Sequence, residues 1–134
     1  MINQFMNITF LSNPKELRKV RVEVEIYCKS YLPNLDTSKV ILAIDEAIQN
    51  IIRHAYNMKT DKKIDINIDT LDETSLKLEI IDYGKQVPLD TIAPRNLEDV
   101  KPGGLGVYFI KKCSKFCEYK HNANGLGTTL TLIF

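Results

Sequence analysis

A carboxylate and an amide stand four residues apart at Glu46 and Asn50, within a segment of helical pattern. On a helix this spacing puts both side chains on one face. The apolar residues of the segment recur on nearly the opposite side, which predicts that one face packs and the other is free for chemistry. A solvated helix face carries the same residue types, so this segment alone leaves both interpretations open. The apolar stripe comprises Ile41, Ile44, Ile48, Ile51, Ile52 and Ala55, and the polar face comprises Glu46, Asn50, Arg53 and Asn57.

A second candidate site is the tripeptide Asp82-Tyr83-Gly84, which follows a predicted strand. The carboxylate of Asp82 can accept a hydrogen bond from an exocyclic amine, and Gly84 has no side chain to keep a flat ring from the backbone. These residue types could therefore bind a flat heterocycle. Asp-x-Gly is also a common turn signal, which is the alternative interpretation.

A third candidate is the glycine-rich run Gly103-Gly104-Leu105-Gly106-Val107, which leads into a predicted helix. Free backbone N–H groups and the positive end of a helix dipole bind phosphate well. The run does not match the common phosphate motifs, because no Gly-Lys-Ser/Thr follows and Phe109 occupies the third glycine position of a dinucleotide fingerprint. A structural glycine turn is the alternative. Near the end of the chain, Gly127-Thr128 places a hydroxyl where the last strand begins, which alone is an ordinary strand start.

The elements that must position these residues follow from periodicity and capping signals. A strand over Asn7–Leu11 precedes a helix to about Tyr31, with Asn13 as its N-cap and Pro14 in its first turn. Asp36 can cap a second helix that runs to about Tyr56. Next comes an antiparallel hairpin of two strands, 64–68 and 76–80. It is followed by a long connection over 84–104, a third helix to about Phe116, and two final strands, 117–120 and 128–134. This order predicts an α+β two-layer sandwich, in which a mixed, largely antiparallel sheet is covered on one face by about three helices.

Composition limits the class of protein. The 134 residues fit a single domain over 1–134, and a net charge of +1 gives no general attraction to nucleic acid or to an anionic membrane. No window approaches the roughly 18 apolar residues of a membrane span, so we expect a cytoplasmic protein. Cys113 and Cys117 are four residues apart rather than in a Cys-x-x-Cys pair, which favours free thiols in a reducing compartment.

Taken together, four weak motifs resemble a known nucleotide site in their order and approximate spacing. That site belongs to the ATPase fold shared by DNA gyrase, heat-shock chaperones, mismatch-repair ATPases and histidine kinases. Within that superfamily, the chain most resembles the small bacterial anti-sigma-factor serine/threonine kinases. The resemblance covers nearly the whole chain and rests on Glu46-Ala47-x-x-Asn50-x-x-x-His54-Ala55-Tyr56, Asp82-x-Gly84, Gly103-Gly104-Leu105-Gly106-Val107-Tyr108 and Gly127-Thr128-Thr129-Leu130.

The resemblance implies a role for each matched residue. Asp82, beside Gly84, would receive the adenine amino group of ATP, and Thr128 would support the base. Asn50 would support Mg²⁺ through its amide oxygen, which suits a hard cation. The glycine-rich run would wrap the phosphates, and residues 85–102 would form a lid over them. The run comprises Gly103, Gly104, Leu105, Gly106 and Val107.

The resemblance also implies a reaction and its partners. Glu46 would act as the general base that takes the proton from a serine hydroxyl on a partner protein. The resemblance implies that the protein is an anti-sigma factor, which sequesters a sigma factor and phosphorylates an anti-sigma-factor antagonist. It also implies a homodimer. His54 would either contact phosphate or border the core.

The sequence alone leaves two other functions open. A nucleotide-gated protein-binding module would hold ATP without transferring phosphate and would signal through its lid. A structural or interaction domain with coincidental glycines would have no affinity for ATP. Retention of Glu46 favours the kinase over the module.

Overall fold

In the part of the chain that the structure describes, alternating apolar residues form five strands, which join into one antiparallel sheet. The computed structural model describes residues 4–86, 88–89 and 105–134. The strands are β1 (Met6–Leu11), β2 (Lys63–Thr70), β3 (Leu76–Ile81), β4 (Phe116–His121) and β5 (Thr128–Ile133). Their order across the sheet is β1-β2-β3-β5-β4, and every pairing between these described strands is antiparallel.

Among the described residues, three α-helices cover one face of this sheet, as predicted. They are α1 (Leu17–Tyr31), α2 (Thr37–Asn50) and α3 (Leu105–Cys113). The capping predictions are confirmed: the side chain of Asn13 accepts a hydrogen bond from the N–H of Lys15 at 3.0 Å, and that of Asp36 accepts one from Ser38 at 3.2 Å. Pro14 begins a short 3₁₀ turn that leads into α1. No helix within the described ranges is long and apolar enough to cross a membrane.

The core lies between the helices and the inward face of the sheet. Alternate residues of β2 and β3 point inward, and helix residues with the 3.6-residue period meet them. The third helix packs against α2 and buries Ile110 in this core. All three cysteines are free thiols, as predicted. The sheet residues fully buried in the core include Ile64, Ile66, Ile68, Leu76, Leu78, Ile80 and Leu132.

The α-helical part of the second helix is shorter than predicted, although the helical segment as a whole reaches Ala55, near the predicted end at about Tyr56. The α-helix ends at Asn50, and a π-helical turn over Ile51–Ala55 continues the chain, with the N–H of Tyr56 donating to the carbonyl of Ile51 at 3.0 Å. Asn57 then has a φ of 51°. The prediction that Asn57 shares the polar helix face is therefore wrong, because the helix has already ended and the backbone has turned left-handed.

The third helix also ends early, at Cys113 rather than near Phe116. Phe116 begins β4 and pairs with Ile133, and the N–H of Lys115 donates to the carbonyl of Ile133 at 2.7 Å. Pairing with β5 therefore competes with further helical hydrogen bonds and sets the boundary. Most of the predicted long connection over 84–104 lies outside the described residues.

Candidate functional site

Asp82 is a buried carboxylate at the end of β3. Only 5% of its surface is exposed, and its Oδ1 accepts a hydrogen bond from the N–H of Gly84 at 3.1 Å. Burial raises the pKa of Asp82, although the backbone N–H groups of Gly84 and Thr128 act in the opposite direction. No described side chain donates a hydrogen bond to this carboxylate. A buried acceptor without a cationic partner is well suited to a ligand that brings its own donor.

Gly127 and Thr128 lie directly against Asp82. The N–H of Asp82 donates to the carbonyl of Thr128 at 3.0 Å, and Thr128 is buried. A Cβ atom on Gly127 would lie 1.9 Å from the carbonyl oxygen of Asp82, and the φ of Gly127 is +83°. Only glycine satisfies both conditions without strain. Two motifs that are 45 positions apart in the sequence are thus in backbone contact.

Gly84 joins the same turn to the end of the π-helical segment. The N–H of Lys85 donates to the carbonyl of Ala55 at 3.3 Å, and a Cβ atom on Gly84 would lie 2.4 Å from that carbonyl oxygen. The protein itself therefore fills the space that the missing side chain leaves on this side of Gly84. This packing is a reason for glycine that the sequence did not indicate, and the approach of a ligand ring stays a prediction.

Glu46 and Asn50 lie one turn apart on α2, and both are partly buried. Neither side chain has a hydrogen bond or ion pair with any other residue that the structure describes. By contrast, the adjacent Asp45 is fully engaged, because the guanidinium of Arg21 on α1 donates two 3.0 Å hydrogen bonds to its carboxylate. The two neighbouring acids thus differ: Asp45 ties two helices together, whereas Glu46 has no partner in the described part of the chain.

Two other residues of this segment are exposed. Arg53 lies on the surface, as its place on the polar face predicts. His54 is also exposed, so the alternative in which it borders the core is wrong. The wider π turn changes the angle at which residues after Asn50 leave the helix, which explains why a straight helical projection fails there.

The glycine-rich run is described only in part. Gly103 and Gly104 lie outside the described residues. Leu105, Gly106 and Val107 form the first turn of α3, so the predicted helix start is confirmed. This helix packs against α2, which carries Glu46 and Asn50.

Sequence comparisons identify the family. A model of the histidine kinase-like ATPase domain matches residues 10–134. Two anti-sigma F factors from Clostridium botulinum, strains Eklund 17B and Alaska E43, are each 31% identical to the chain over 115 residues, which span 79% of this chain and 77% of theirs. The chain belongs to the anti-sigma-factor family of histidine kinase-like ATPase domains. Membership of an ATPase family implies nucleotide binding.

A solved structure supports the fold of this ATPase domain independently. The crystal structure of the RsbU and RsbW domains of Rv1364c from Mycobacterium tuberculosis superposes with a TM-score of 0.67 at 17% identity. The match covers 96% of the ATPase domain and 31% of that longer chain. At this identity the likeness shows the fold alone, and it agrees with the two-layer α+β architecture.

A tyrosine pair that the sequence did not indicate anchors the Asp82 turn of the ATPase domain. The hydroxyl of Tyr56 donates to the carbonyl of Lys63 at 2.5 Å and accepts a hydrogen bond from the N–H of Tyr83 at 2.8 Å. The hydroxyl of Tyr83 donates to the carboxylate of Asp65. No local pattern predicts these bonds, although an acid among the isoleucines of β2 is a weak signal of a polar partner.

Asn122 of the β4–β5 connection and Gln86, four residues after Asp82, link that connection to the Asp82 turn. The amide nitrogen of Asn122 donates to the carbonyls of Asp82 at 2.9 Å and Leu126 at 3.0 Å. That of Gln86 donates to the carbonyls of Asn122 at 3.0 Å and Gly127 at 2.9 Å. The Asn-x-Asn-Gly sequence at 122–125 signals a turn, but not its contact with Asp82.

The described side chains fit Mg²⁺ through Asn50. Within the described ranges, no three His, Cys, Asp or Glu side chains cluster as a metal site. Magnesium bound with a nucleotide needs few protein ligands, because phosphate oxygens and water complete its coordination. The amide oxygen of Asn50 is a suitable ligand because no described residue bonds to it.

Proposed function

We propose that this chain is an ATP-dependent serine/threonine protein kinase that acts as an anti-sigma factor in a partner-switching pathway. Its substrate would be a serine of an anti-sigma-factor antagonist, and its other partner would be a sigma factor. The observation that carries the proposal is Glu46, which has no partner among the residues that the structure describes, one turn from Asn50 and next to an Asp45 that is already paired. The similarity to the Clostridium botulinum anti-sigma F factors supports the anti-sigma role.

In this proposal the two ends of the nucleotide are bound by different elements. The buried Asp82 accepts a hydrogen bond from the adenine amine, beside Gly84 and Thr128. The first turn of α3, with Leu105, Gly106 and Val107, would bind phosphate together with Gly103 and Gly104. The amide oxygen of Asn50 would hold Mg²⁺, which supplies charge neutralisation at the phosphates.

The proposed reaction is direct transfer to the partner's serine. The carboxylate of Glu46 takes the proton from the serine hydroxyl while that oxygen forms a bond to the γ-phosphorus. The bond from the γ-phosphorus to the β–γ bridging oxygen breaks, and ADP leaves with the electron pair. The products are phosphoserine, ADP and a proton held on Glu46.

The first test compares Glu46→Gln with Asp45→Asn, a matched change of acid to amide at the next position. Phosphorylation is measured with labelled ATP and an anti-sigma-factor antagonist from the same genome, and ATP affinity is measured by calorimetry. We expect Glu46→Gln to lose at least about 100-fold in transfer rate with ATP affinity unchanged, because general-base catalysis contributes about that much or more. Asp45→Asn should keep the transfer rate.

The same assay separates the alternatives. Full transfer by Glu46→Gln would refute the role of Glu46 as base. An antagonist that binds in an ATP-dependent way but is never phosphorylated by the unaltered protein would instead support a nucleotide-gated binding module. Absence of ATP binding would overturn both functions.

The second test concerns the metal. Asn50→Ala should weaken ATP binding in the presence of Mg²⁺ and leave binding in EDTA unchanged. The neighbouring amide provides the control, because Gln49 is exposed and Gln49→Ala should have no effect in either condition. Equal affinities of Asn50→Ala and unaltered protein in Mg²⁺ would remove Asn50 from the metal site.

The remaining parts of the proposal concern organisation. The chain would act as one domain over 1–134, as a homodimer in the cytoplasm, without direct contact to nucleic acid. Sedimentation equilibrium at micromolar concentration tests the dimer, and a mass equal to that of one chain would contradict it.

A further inference from the structure

Tyr83 lies between Asp82 and Gly84, and its side chain is bound on the opposite side of the sheet from the core. Its hydroxyl donates to Asp65 of β2, a residue that pairs with Ile81 and therefore lies beside the end of β3. Asp65 is itself buried, and it accepts a 2.5 Å hydrogen bond from the hydroxyl of Thr9 on β1. Two neighbouring strands, β1 and β2, thus contribute to holding one side chain in the turn that carries Asp82.

Two further contacts fix Tyr83. Its backbone N–H donates to the buried hydroxyl of Tyr56 at 2.8 Å. The ammonium of Lys63 lies 4.7 Å from the centroid of the Tyr83 ring and 3.6 Å from the carboxylate of Asp65. The ring, the hydroxyl and the backbone of Tyr83 are therefore each restrained by a different group.

The charges around Tyr83 favour this arrangement at neutral pH. Burial and the adjacent Asp65 raise the pKa of Tyr83 to about 12, so its hydroxyl stays protonated and able to donate. Although burial alone would raise the pKa of Asp65, hydrogen bonds from Thr9 and Tyr83 and the charge of Lys63 lower it. Asp65 therefore stays ionised, and a hydrogen bond to a charged acceptor is the stronger kind.

We propose that Tyr83 is a positioning residue for adenine recognition, which holds the Asp82 carboxylate in place through the hydrogen bond from its hydroxyl to Asp65. The inference rests on the proposed function, because it assumes that Asp82 receives the adenine amine. Asp82 and Tyr83 share a peptide bond directly after the end of β3. Restraint of the side chain and the backbone N–H of Tyr83 therefore limits the positions that Asp82 can take.

The test measures the affinities of ATP and inosine triphosphate by calorimetry. Inosine has a carbonyl in place of the exocyclic amine, so it offers Asp82 no donor from that position and should bind weakly. Tyr83→Phe removes only the hydroxyl and keeps the ring. We expect it to weaken ATP binding by about threefold to tenfold, the range of one hydrogen bond, and to leave inosine triphosphate within about twofold. Tyr31→Phe, at the end of α1, is the matched control and should change neither affinity.

A second variant tests the other end of the bond. Asp65→Ala, like Tyr83→Phe, should reduce the preference for ATP over inosine triphosphate. The variant that carries both changes should lose no more of this preference than the more affected single variant, because both changes remove the same hydrogen bond. Equal losses for both nucleotides, or an unchanged preference in both variants, would make Tyr83 merely structural and overturn the inference while leaving the adenine site intact. If the unaltered protein binds both nucleotides equally, the adenine site itself is wrong, and the inference falls with it.

Discussion

Two glycines in the β4–β5 connection allow a steric effect to be separated from a backbone effect. Gly125 and Gly127 have nearly the same φ, +82° and +83°, so alanine is strained by the same backbone conformation at both positions. A Cβ atom at Gly125 would meet nothing within 4 Å, whereas one at Gly127 would lie 1.9 Å from the carbonyl oxygen of Asp82. Alanine variants at the two positions therefore differ almost only in the steric clash with Asp82, which is present at position 127 and absent at position 125.

The expected magnitudes follow from these two terms. The left-handed conformation costs alanine about 1–2 kcal/mol, and the lower entropy of the unfolded chain offsets part of that cost. Gly125→Ala should therefore lose about 1 kcal/mol of unfolding free energy. Gly127→Ala should lose a further 1–3 kcal/mol or so, because the backbone of Asp82 must move, as in an overpacked core.

Urea unfolding followed by circular dichroism measures both losses, with an unchanged m-value as the check that the two-state comparison is valid. The difference between the two variants is the decisive quantity. If both variants lose the same free energy within about 0.5 kcal/mol, then the close contact between Gly127 and Asp82 does not exist in solution, and the described geometry of the turn is wrong.

Three further variants test the groups around this turn. Tyr56→Phe removes a buried hydroxyl with two partners and should lower the unfolding free energy by about 1–3 kcal/mol in urea. Asp82→Asn should raise thermal stability at pH 7, because burial holds the folded pKa above the unfolded one; the gain should shrink as the pH falls through that raised pKa. Asp65→Asn should lower thermal stability at pH 7, since the pKa of Asp65 in the folded state lies below that in the unfolded state. This loss of stability is full above the unfolded pKa and disappears as the pH falls through the folded pKa. The same sign for both variants at pH 7 would contradict the account.

Much of the fold follows from local sequence signals. The alternation of apolar and polar residues in β2 and β3 predicts both the strands and their buried face. The capping side chains of Asn13 and Asp36 accept hydrogen bonds from N–H groups only two residues further along the chain. Such signals need no knowledge of distant residues. The π turn after Asn50 was not predictable in the same way, because five residues are too few to distinguish a wider helical period from the ordinary one.

The contacts at the site depend on longer distances along the chain. The sequence indicated Asp82, Gly84 and Thr128 by residue type, and the fold brings all three together. Asn122 is 40 positions from Asp82 and Tyr56 is 27 positions from Tyr83, so nothing near either residue in the sequence reveals its partner. Polar groups of this kind become identifiable only once the sheet register is known.

The described contacts divide the candidate site into a fixed part and an open part. Asp82 is held by backbone bonds to Gly84 and Thr128 and by Asn122, so it is already ordered when a ligand arrives. Glu46 and Asn50 have no such restraint among the described residues. Preorganised groups reduce the entropic cost of binding, whereas a catalytic base gains its partner only from the substrate. The fixed part should therefore control nucleotide affinity and choice, while the open part should control the rate of transfer.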